Sequence, residues 1–328
     1  MPHLTRRDFL ATTSALAATA ALTPSALAQP PVPIPQPPLP RRTLRKAVMF
    51  GMIQAPDGAT LIDKFQMLRD TGFEGVEMDS PGTIPLTDIK AASAKTGIKV
   101  HGLVDSVHWR IPLNAPSSAA RAEAVNALAT CISDAKQLGA TSILLVPAIV
   151  SKDLSYEDAY SVTTAVLRDQ VAPLLKGSGV KVSIENVWNN FLLSPLEAAR
   201  YIDEINGLKA GGSAKPEAAD LPFCFHFDIG NVINFGWPAQ WINTLAHRIS
   251  RLHIKDFSRK KRDKEGLWKG FEIELGQGDA DWPATMAALD RIGYSTLPAG
   301  NWATAEVSGG DLNRLKAISA QMDALFAM

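Results

Sequence analysis

Apolar residues in this chain fall into two alternating patterns. Short runs such as 75–78 (GVEM), 141–147 (TSILLVP) and 223–228 (FCFHFD) are rich in β-branched, leucine or aromatic residues. Between them, apolar residues recur at helical spacing, as with Leu61, Ile62, Phe65 and Leu68, and glycine closes several of these stretches, as at Gly72 and Gly139. The pattern predicts strands at 46–54, 75–78, 99–103, 141–147, 180–185, 223–228, 251–255 and 301–306. It predicts helices at 59–71, 86–95, 117–138, 156–175, 194–205, 237–249, 281–292 and 311–326. Residues 207–219 and 258–269 read as loops, the second long and charged. Eight strand–helix alternations predict an α/β fold, a single (β/α)8 barrel, rather than an open doubly wound sheet. No glycine-rich phosphate fingerprint follows the first strand, which also weighs against a dinucleotide fold.

The first 41 residues follow neither pattern. Thr5-Arg6-Arg7-Asp8-Phe9-Leu10 is a twin-arginine motif; an alanine-rich apolar region follows, then the small-x-small site Ala26-Leu27-Ala28. This order predicts a twin-arginine signal peptide over 1–28. Residues 29–41 read as a proline-rich, semi-rigid linker (QPPVPIPQPPLP over 29–40), and 42–328 as the barrel. Such a signal implies the twin-arginine export machinery as a partner. It also implies a periplasmic or secreted destination, reached already folded and with any metal loaded beforehand. The apolar region is too short and too rich in Ala and Thr for a stable membrane span.

Charge narrows the partners. The 328 residues carry 33 basic and 33 acidic side chains, so nothing points to nucleic acid or an anionic membrane, and a small molecule is the default ligand. The two cysteines, Cys131 and Cys224, fall in a helical and a strand pattern and read as buried thiols.

The strand ends carry the chemistry. Glu185, Asp228, His253 and Glu306 stand at the carboxyl ends of the fifth to eighth predicted strands. In a parallel barrel these ends converge on one face, where the chemistry is placed. Three carboxylates and an imidazole form a mixed oxygen and nitrogen donor set for a divalent ion, Mn2+, Mg2+, Co2+ or Zn2+. A lone strand-end Asp or His is commonly a helix cap, but burying several carboxylates together is costly without a cation.

Five segments and one further residue resemble the xylose isomerase-like barrels, the sugar phosphate isomerase/epimerase superfamily that includes ketose 3-epimerases and hydroxypyruvate isomerases. They are FEGVEMD at 73–79, IENVWN at 184–189, FDIGN at 227–231, RLHIKDF at 251–257, LGQGDADW at 275–282, and Glu306 on the last strand. The resemblance implies that Glu185, Asp228, His253 and Glu306 are metal ligands. It implies proton transfer next to a carbonyl, with Glu185 and Glu306 acting on opposite faces of the sugar through an enediolate. Export favours a sugar or keto-sugar without phosphate.

Softer candidates for substrate binding are Glu77, His101, His108, Trp188, Asn231 and Lys255. For Glu77 and His101 the competing reading is hydrogen bonding within the loop layer; for His108 it is a surface histidine, and for Trp188 a core residue. Asn186 and Asn231 adjoin ligands and read as partners orienting them. Arg259 to Arg262 (RKKR) reads as a solvated charge run rather than an anion site, and Trp282 and Trp302 as packing. Two other functions use the same residues: a lyase cleaving 3-keto-glycosides by β-elimination, and a non-catalytic sugar-binding protein. Six histidines and zero net charge argue against an endonuclease of the superfamily. Self-association into a homo-oligomer is compatible with such a barrel, but no interface is legible.

Overall fold

The apolar runs fold as eight short parallel strands in a computed structural model that describes residues 42–208, 221–296 and 301–328. They are β1 (Arg45–Met49), β2 (Gly75–Ser80), β3 (Lys99–Asp105), β4 (Ser142–Leu145), β5 (Lys181–Glu185), β6 (Phe223–Asp228), β7 (Ile249–Ile254) and β8 (Trp302–Ala305). The strands pair in sequence order, β8 returns to β1, and the sheet closes into a barrel with helices in the connections. The predicted (β/α)8 barrel is therefore the architecture. The segments read as signal peptide and linker, and most of the 207–219 loop, lie outside the described residues. Among the described residues no helix is long and apolar enough to cross a membrane.

Local chemistry sets the helix ends. Thr60 accepts from the Asp63 backbone N–H while Asp63 accepts in return from the Thr60 backbone, a reciprocal cap on helix Leu61–Asp70. Gly97 and Gly139 adopt the left-handed conformation that ends helices Leu86–Thr96 and Ser118–Leu138. The single helix predicted over 156–175 is instead Tyr156–Val166, a π turn Leu167–Val171, and Ala172–Leu175. Pro173 has no N–H to donate to the preceding turn, and the helix widens just ahead of it.

The 258–269 segment departs further from expectation. It is a capped helix, Arg259–Glu265, followed by a 3-10 turn, Leu267–Phe271. Ser258 Oγ accepts from the Lys261 N–H. Arg259 donates to the carbonyls of Ile233 and Gly236, and Arg262 to that of Asn234. Hydrogen bonds rather than an apolar stripe hold this segment, so hydropathy does not reveal it. The RKKR run thereby ties the connection after β7 to the one after β6.

The barrel walls have two faces. Phe225 and Phe227 of β6 pack together, Phe227 stacks on Trp241 of the outer helix Pro238–Leu245, and Val182 and Ile184 of β5 are likewise fully buried. The intervening residues point inward, and many are polar. Ser142, Ser183 and Ser250 link their hydroxyls across β4, β5 and β7 at 2.9 and 2.8 Å. Arg251 reaches Thr141 Oγ1 at 2.6 Å. Trp302 lies flat against His101 at 4.4 Å, and Trp302 and Trp282 are both buried, as expected of packing residues. Cys131 and Cys224 are buried free thiols. Interiors of such barrels are more often filled by branched aliphatic residues; in this one several inward positions hold polar groups that hydrogen-bond to one another.

Space inside is tight. A Cβ at Gly75 would lie 2.5 Å from the Trp302 ring and 3.1 Å from His101. Gly75→Ala is therefore expected to cost about 1–3 kcal/mol of stability through overpacking, read as a lower midpoint in chemical denaturation.

Candidate active site

Strand register brings four predicted residues together. Asp228 ends β6 directly across from His253 of β7, and His253 lies across from Thr304, two residues before Glu306. Glu185 ends β5. One donor atom from each of Glu185, Asp228, His253 and Glu306 falls within 4.8 Å of the others. His253 Nδ1 is 2.9 Å from Glu185, 3.3 Å from Glu306 and 3.9 Å from Asp228.

Glu77 and His101 sit deeper. Glu77 meets the other ring nitrogen of His253 at 3.0 Å, and Thr304 donates to Glu77 at 3.1 Å. Nε2–H is donated to Glu77, so a cation that displaced the Nδ1 proton would meet the Nδ1 lone pair of a ring already held in the tautomer a ligand needs. Gly102 leaves room for this contact, because a Cβ there would come 3.3 Å from Glu77 Oε1. His101 lies 3.1 Å from the Thr304 hydroxyl. Both Glu77 and His101 are buried inside the barrel, and their observed partners are protein groups.

The clasp on Asp228 comes from two asparagines. Asn186 donates to the Asp228 carbonyl at 2.8 Å and accepts from its N–H at 2.9 Å. The Asn231 N–H donates to Asp228 Oδ1 at 2.7 Å, and the Asn231 amide donates to the Asn186 carbonyl. Oδ1 is thereby used for positioning, while Oδ2 points into the cluster with no well-aligned hydrogen bond. Glu306 Oε2 is likewise buried without one.

Lys255 approaches both of these oxygens. Its Nζ lies 2.6 Å from Glu306 Oε2, 3.3 Å from Asp228 Oδ2 and 3.5 Å from Asn231 Oδ1. Gly230 makes room for the lysine, since a Cβ there would lie 2.7 Å from Lys255 Cγ. Distance thus pairs these oxygens with the ammonium, although the angles are poor for hydrogen bonds. We read Lys255 as a charge partner that leaves the oxygens' directed bonding capacity free.

The electrostatics follow from burial against charge. Burial alone would push the His253 imidazolium down, but Glu77 and Glu185 outweigh it and hold its pKa well above the usual value. Burial pushes Asp228 up to about 7 against the pull of Lys255, with Glu306 and Glu185 adding repulsion. Burial raises Glu185 as well, against the opposing pull of His253. At Glu306 burial is overcome by Lys255 and His253, and its pKa falls far below the usual range. In the ion-free protein the two carboxylates flanking one space are thus driven in opposite directions. The donor set fits a divalent ion: three carboxylates and one imidazole nitrogen converge, and two carboxylate oxygens lack directed partners.

The other candidates lie around this centre. Trp188 donates its indole N–H to the Asn231 carbonyl and faces the mouth beside Lys255 and Asn231. His108 is buried and accepts from the Val146 N–H at 3.4 Å, and burial lowers its pKa to about 4. It is therefore not the exposed histidine that was its competing reading, and its neighbour Trp109 is the residue that reaches the mouth. The LGQGDADW segment is structural. Asp256 Oδ2 accepts from the backbone N–H groups of Gly276 and Gly278 and from the Trp282 indole. A side chain at Gly278 would collide with Asp256.

Sequence pattern did not single out His226, Trp268 or Phe271. The His226 ring lies 4.1 Å from that of His253, and neither of its nitrogens has a hydrogen bond among the described residues. Strand alternation with Asp228 was the signal that could have found it. Trp268 belongs to the segment read as a charged loop, and Phe271 lies two residues beyond it.

Lys255→Met leaves Asp228 and Glu306 without their ammonium. The metal-free protein is expected to lose about 3–5 kcal/mol, the usual cost of stripping one partner from a buried ion pair. Added Mn2+ should restore more stability to this variant than to the parent, as read by denaturant unfolding with and without chelator.

The model of the xylose isomerase-like TIM barrel family matches residues 65–327. The L-ribulose-5-phosphate 3-epimerase of Salmonella paratyphi C (strain RKS4594) is 24% identical over 266 residues, covering 76% of this chain and 86% of its own. Among solved structures, the 3-keto-D-glucoside 4-epimerase of E. coli superposes with a TM-score of 0.67 at 16% identity, covering 87% of this chain and 100% of its own. A D-allulose 3-epimerase from Methylomonas sp., in complex with D-allulose, gives 0.64 at 16% identity over 87% of this chain and 98% of its own. At these identities the structural likeness concerns the fold. The family match spans most of the sequence, and the chain belongs to the xylose isomerase-like TIM barrel family.

Proposed function

We propose that this protein is a divalent-metal-dependent isomerase or epimerase that transfers a proton at the carbon next to a carbonyl of a non-phosphorylated sugar or keto-sugar. The observation that carries the reading is the pair Glu185 and Glu306, both within 3.3 Å of His253 Nδ1 and converging with Asp228 on one space. The ribulose-phosphate, allulose and keto-glucoside epimerases similar to this chain support proton transfer as its chemistry.

Glu185, Asp228, His253 and Glu306 would hold the ion. When bound, it supplies Lewis-acid polarisation of the sugar's carbonyl and hydroxyl oxygens. Glu185 and Glu306 approach the substrate from two sides; one carboxylate removes the proton and the other returns one to the opposite face. Which acts first follows from the hand of the substrate. Lys255 places an ammonium beside Glu306 and next to the cavity, where it attracts oxygen that gains negative charge. Glu77 works through His253 by fixing the ring's tautomer.

Two features support a substrate without phosphate. Lys255 is the one cationic side chain lining the mouth cavity among the described residues, and Glu306 and Asp228 already occupy it. Arg259 and Arg262 are committed to backbone carbonyls. The proposed export by the twin-arginine pathway fits the same substrate class.

The deciding experiment is solvent deuterium incorporation by the metal-loaded protein across free ketoses, aldoses and 3-keto-glycosides. Deuterium should enter next to the carbonyl, and chelation should abolish exchange. Glu185→Gln and Glu306→Gln should each lower it by about 10²–10⁴-fold, the range for a lost general acid or base. Release of an aglycone would identify β-elimination at the same site; absence of exchange with every member would overturn the proposal. Glu77→Gln should weaken Mn2+ binding about 10–100-fold, measured by calorimetry, because the neutral amide no longer compensates the charge on His253 or fixes its tautomer as the carboxylate does.

A further inference from the structure

The cavity at the mouth is larger and more aromatic than one sugar ring requires. It encloses about 570 Å3, within the usual range of small-molecule sites, about 300–1,000 Å3. Its inner end is Glu306, Lys255 and Asn231, so the reacting ring occupies that end. Each of a hexose's dozen heavy atoms can be allotted a whole water's share of liquid volume, about 30 Å3. The ring then takes about 360 Å3 and leaves roughly 200 Å3. The remainder is bounded by Trp188, Phe271, Trp268 and Trp109.

Three of these rings, Trp188, Phe271 and Trp268, form a continuous wall, and Trp109 lines the same cavity. Trp188 lies 5.1 Å from Phe271 and 4.8 Å from Trp268, with the rings tilted at 36° and 41°. Trp188 is fixed by its indole bond to the Asn231 carbonyl, which joins the wall to the cluster around Asp228. The wall runs outward to Trp268, 68% exposed, and Trp109, 52% exposed, stands separately on the same cavity. Gly270 permits the packing, because a Cβ there would collide with the Phe257 ring. The arginines of the RKKR run anchor the helix immediately before Trp268.

We propose that this wall is a second subsite, which holds the aglycone or second sugar ring of a glycoside whose first ring sits at the carboxylate cluster. The negative π face of an aromatic ring attracts the weakly positive C–H groups on the flat side of a pyranose, and it stacks with an aryl aglycone. A phosphate tail finds no free cation there, and a monosaccharide leaves the wall uncovered. The physiological substrate is then a keto-sugar still carrying its glycosidic substituent. The assignment rests on the proposed proton-transfer reading for the place of the first ring, but the subsite itself is measured by binding.

The test is calorimetry on the Mn2+-loaded protein with methyl β-D-glucoside, phenyl β-D-glucoside and cellobiose. The phenyl glucoside and cellobiose should bind at least about tenfold more tightly than the methyl glucoside, a gap of about 1.4 kcal/mol. Trp268→Ala and Trp109→Ala, both at exposed positions that tolerate truncation, should each erase most of that gap. Equal affinity for all three, no binding of any, or an unchanged preference in both variants would overturn the subsite. So would sedimentation showing a dimer that Trp268→Ala dissociates without changing glycoside preference, since the wall would then be an interface between copies. The exchange assay reports separately on the chemistry. A glycoside preference without deuterium exchange supports the subsite and removes the proton-transfer reading, whereas exchange without a preference does the reverse.

Discussion

His253 is gripped from two directions, and most of the site depends on that grip. Below it, Glu77 takes one ring nitrogen at 3.0 Å; above it, Glu185 and Glu306 crowd the other. Buried carboxylates repel one another and lose their hydration, so they persist side by side only against positive charge. Here the positive charge comes from the imidazole and from Lys255, and the arrangement is one a divalent ion would complete. The polar barrel interior follows from the same need. Thr304 bonds both Glu77 and His101, which an aliphatic interior would leave stranded, while the serine hydroxyls bond one another.

The supporting layer has a division of labour. Asn186 and Asn231 spend their hydrogen bonds on one oxygen and the backbone of Asp228, which leaves the other oxygen free of directed bonds. Asp256, three residues beyond His253, instead gathers two loop N–H groups and an indole, and so folds its own connection back on itself. The two aspartates therefore serve different ends: Asp228 faces the carboxylate cluster and Asp256 secures the segment around Gly276 to Trp282. Three glycines mark close approaches, Gly102 to Glu77, Gly230 to Lys255 and Gly278 to Asp256. Each lies where a Cβ would press on a polar group that the site needs.

The outer layer is built differently. Arg259 and Arg262, which read as a solvated charge run, are spent on carbonyls of the preceding connection, and this carries Trp268 and Phe271 to the mouth. A charged surface segment thus presents an aromatic wall. The chemistry at the strand ends and the wall around them are joined through Trp188, bonded to Asn231 and packed against Phe271.

Strand order and the four strand-end residues were legible in the amino-acid sequence because parallel strands have a simple period and end where polar residues begin. Glu185, Asp228, His253 and Glu306 each sit at or within one residue of a strand terminus, so the barrel topology alone brings them together. The sequence also determined the helix stops, where Gly97 and Gly139 adopt a conformation that few other residues tolerate. Only the tertiary structure decided that Glu77 lies beneath His253, that His226 faces it, that His108 is buried, and that the 258–269 segment is helical. Those outcomes depend on contacts between residues far apart in the chain, such as Glu77 with His253, 176 positions away. They also depend on which side of a strand closes inward. Hydropathy along a chain records burial, but a buried polar side chain is placed by the partner that satisfies it, and that partner is chosen when the barrel closes.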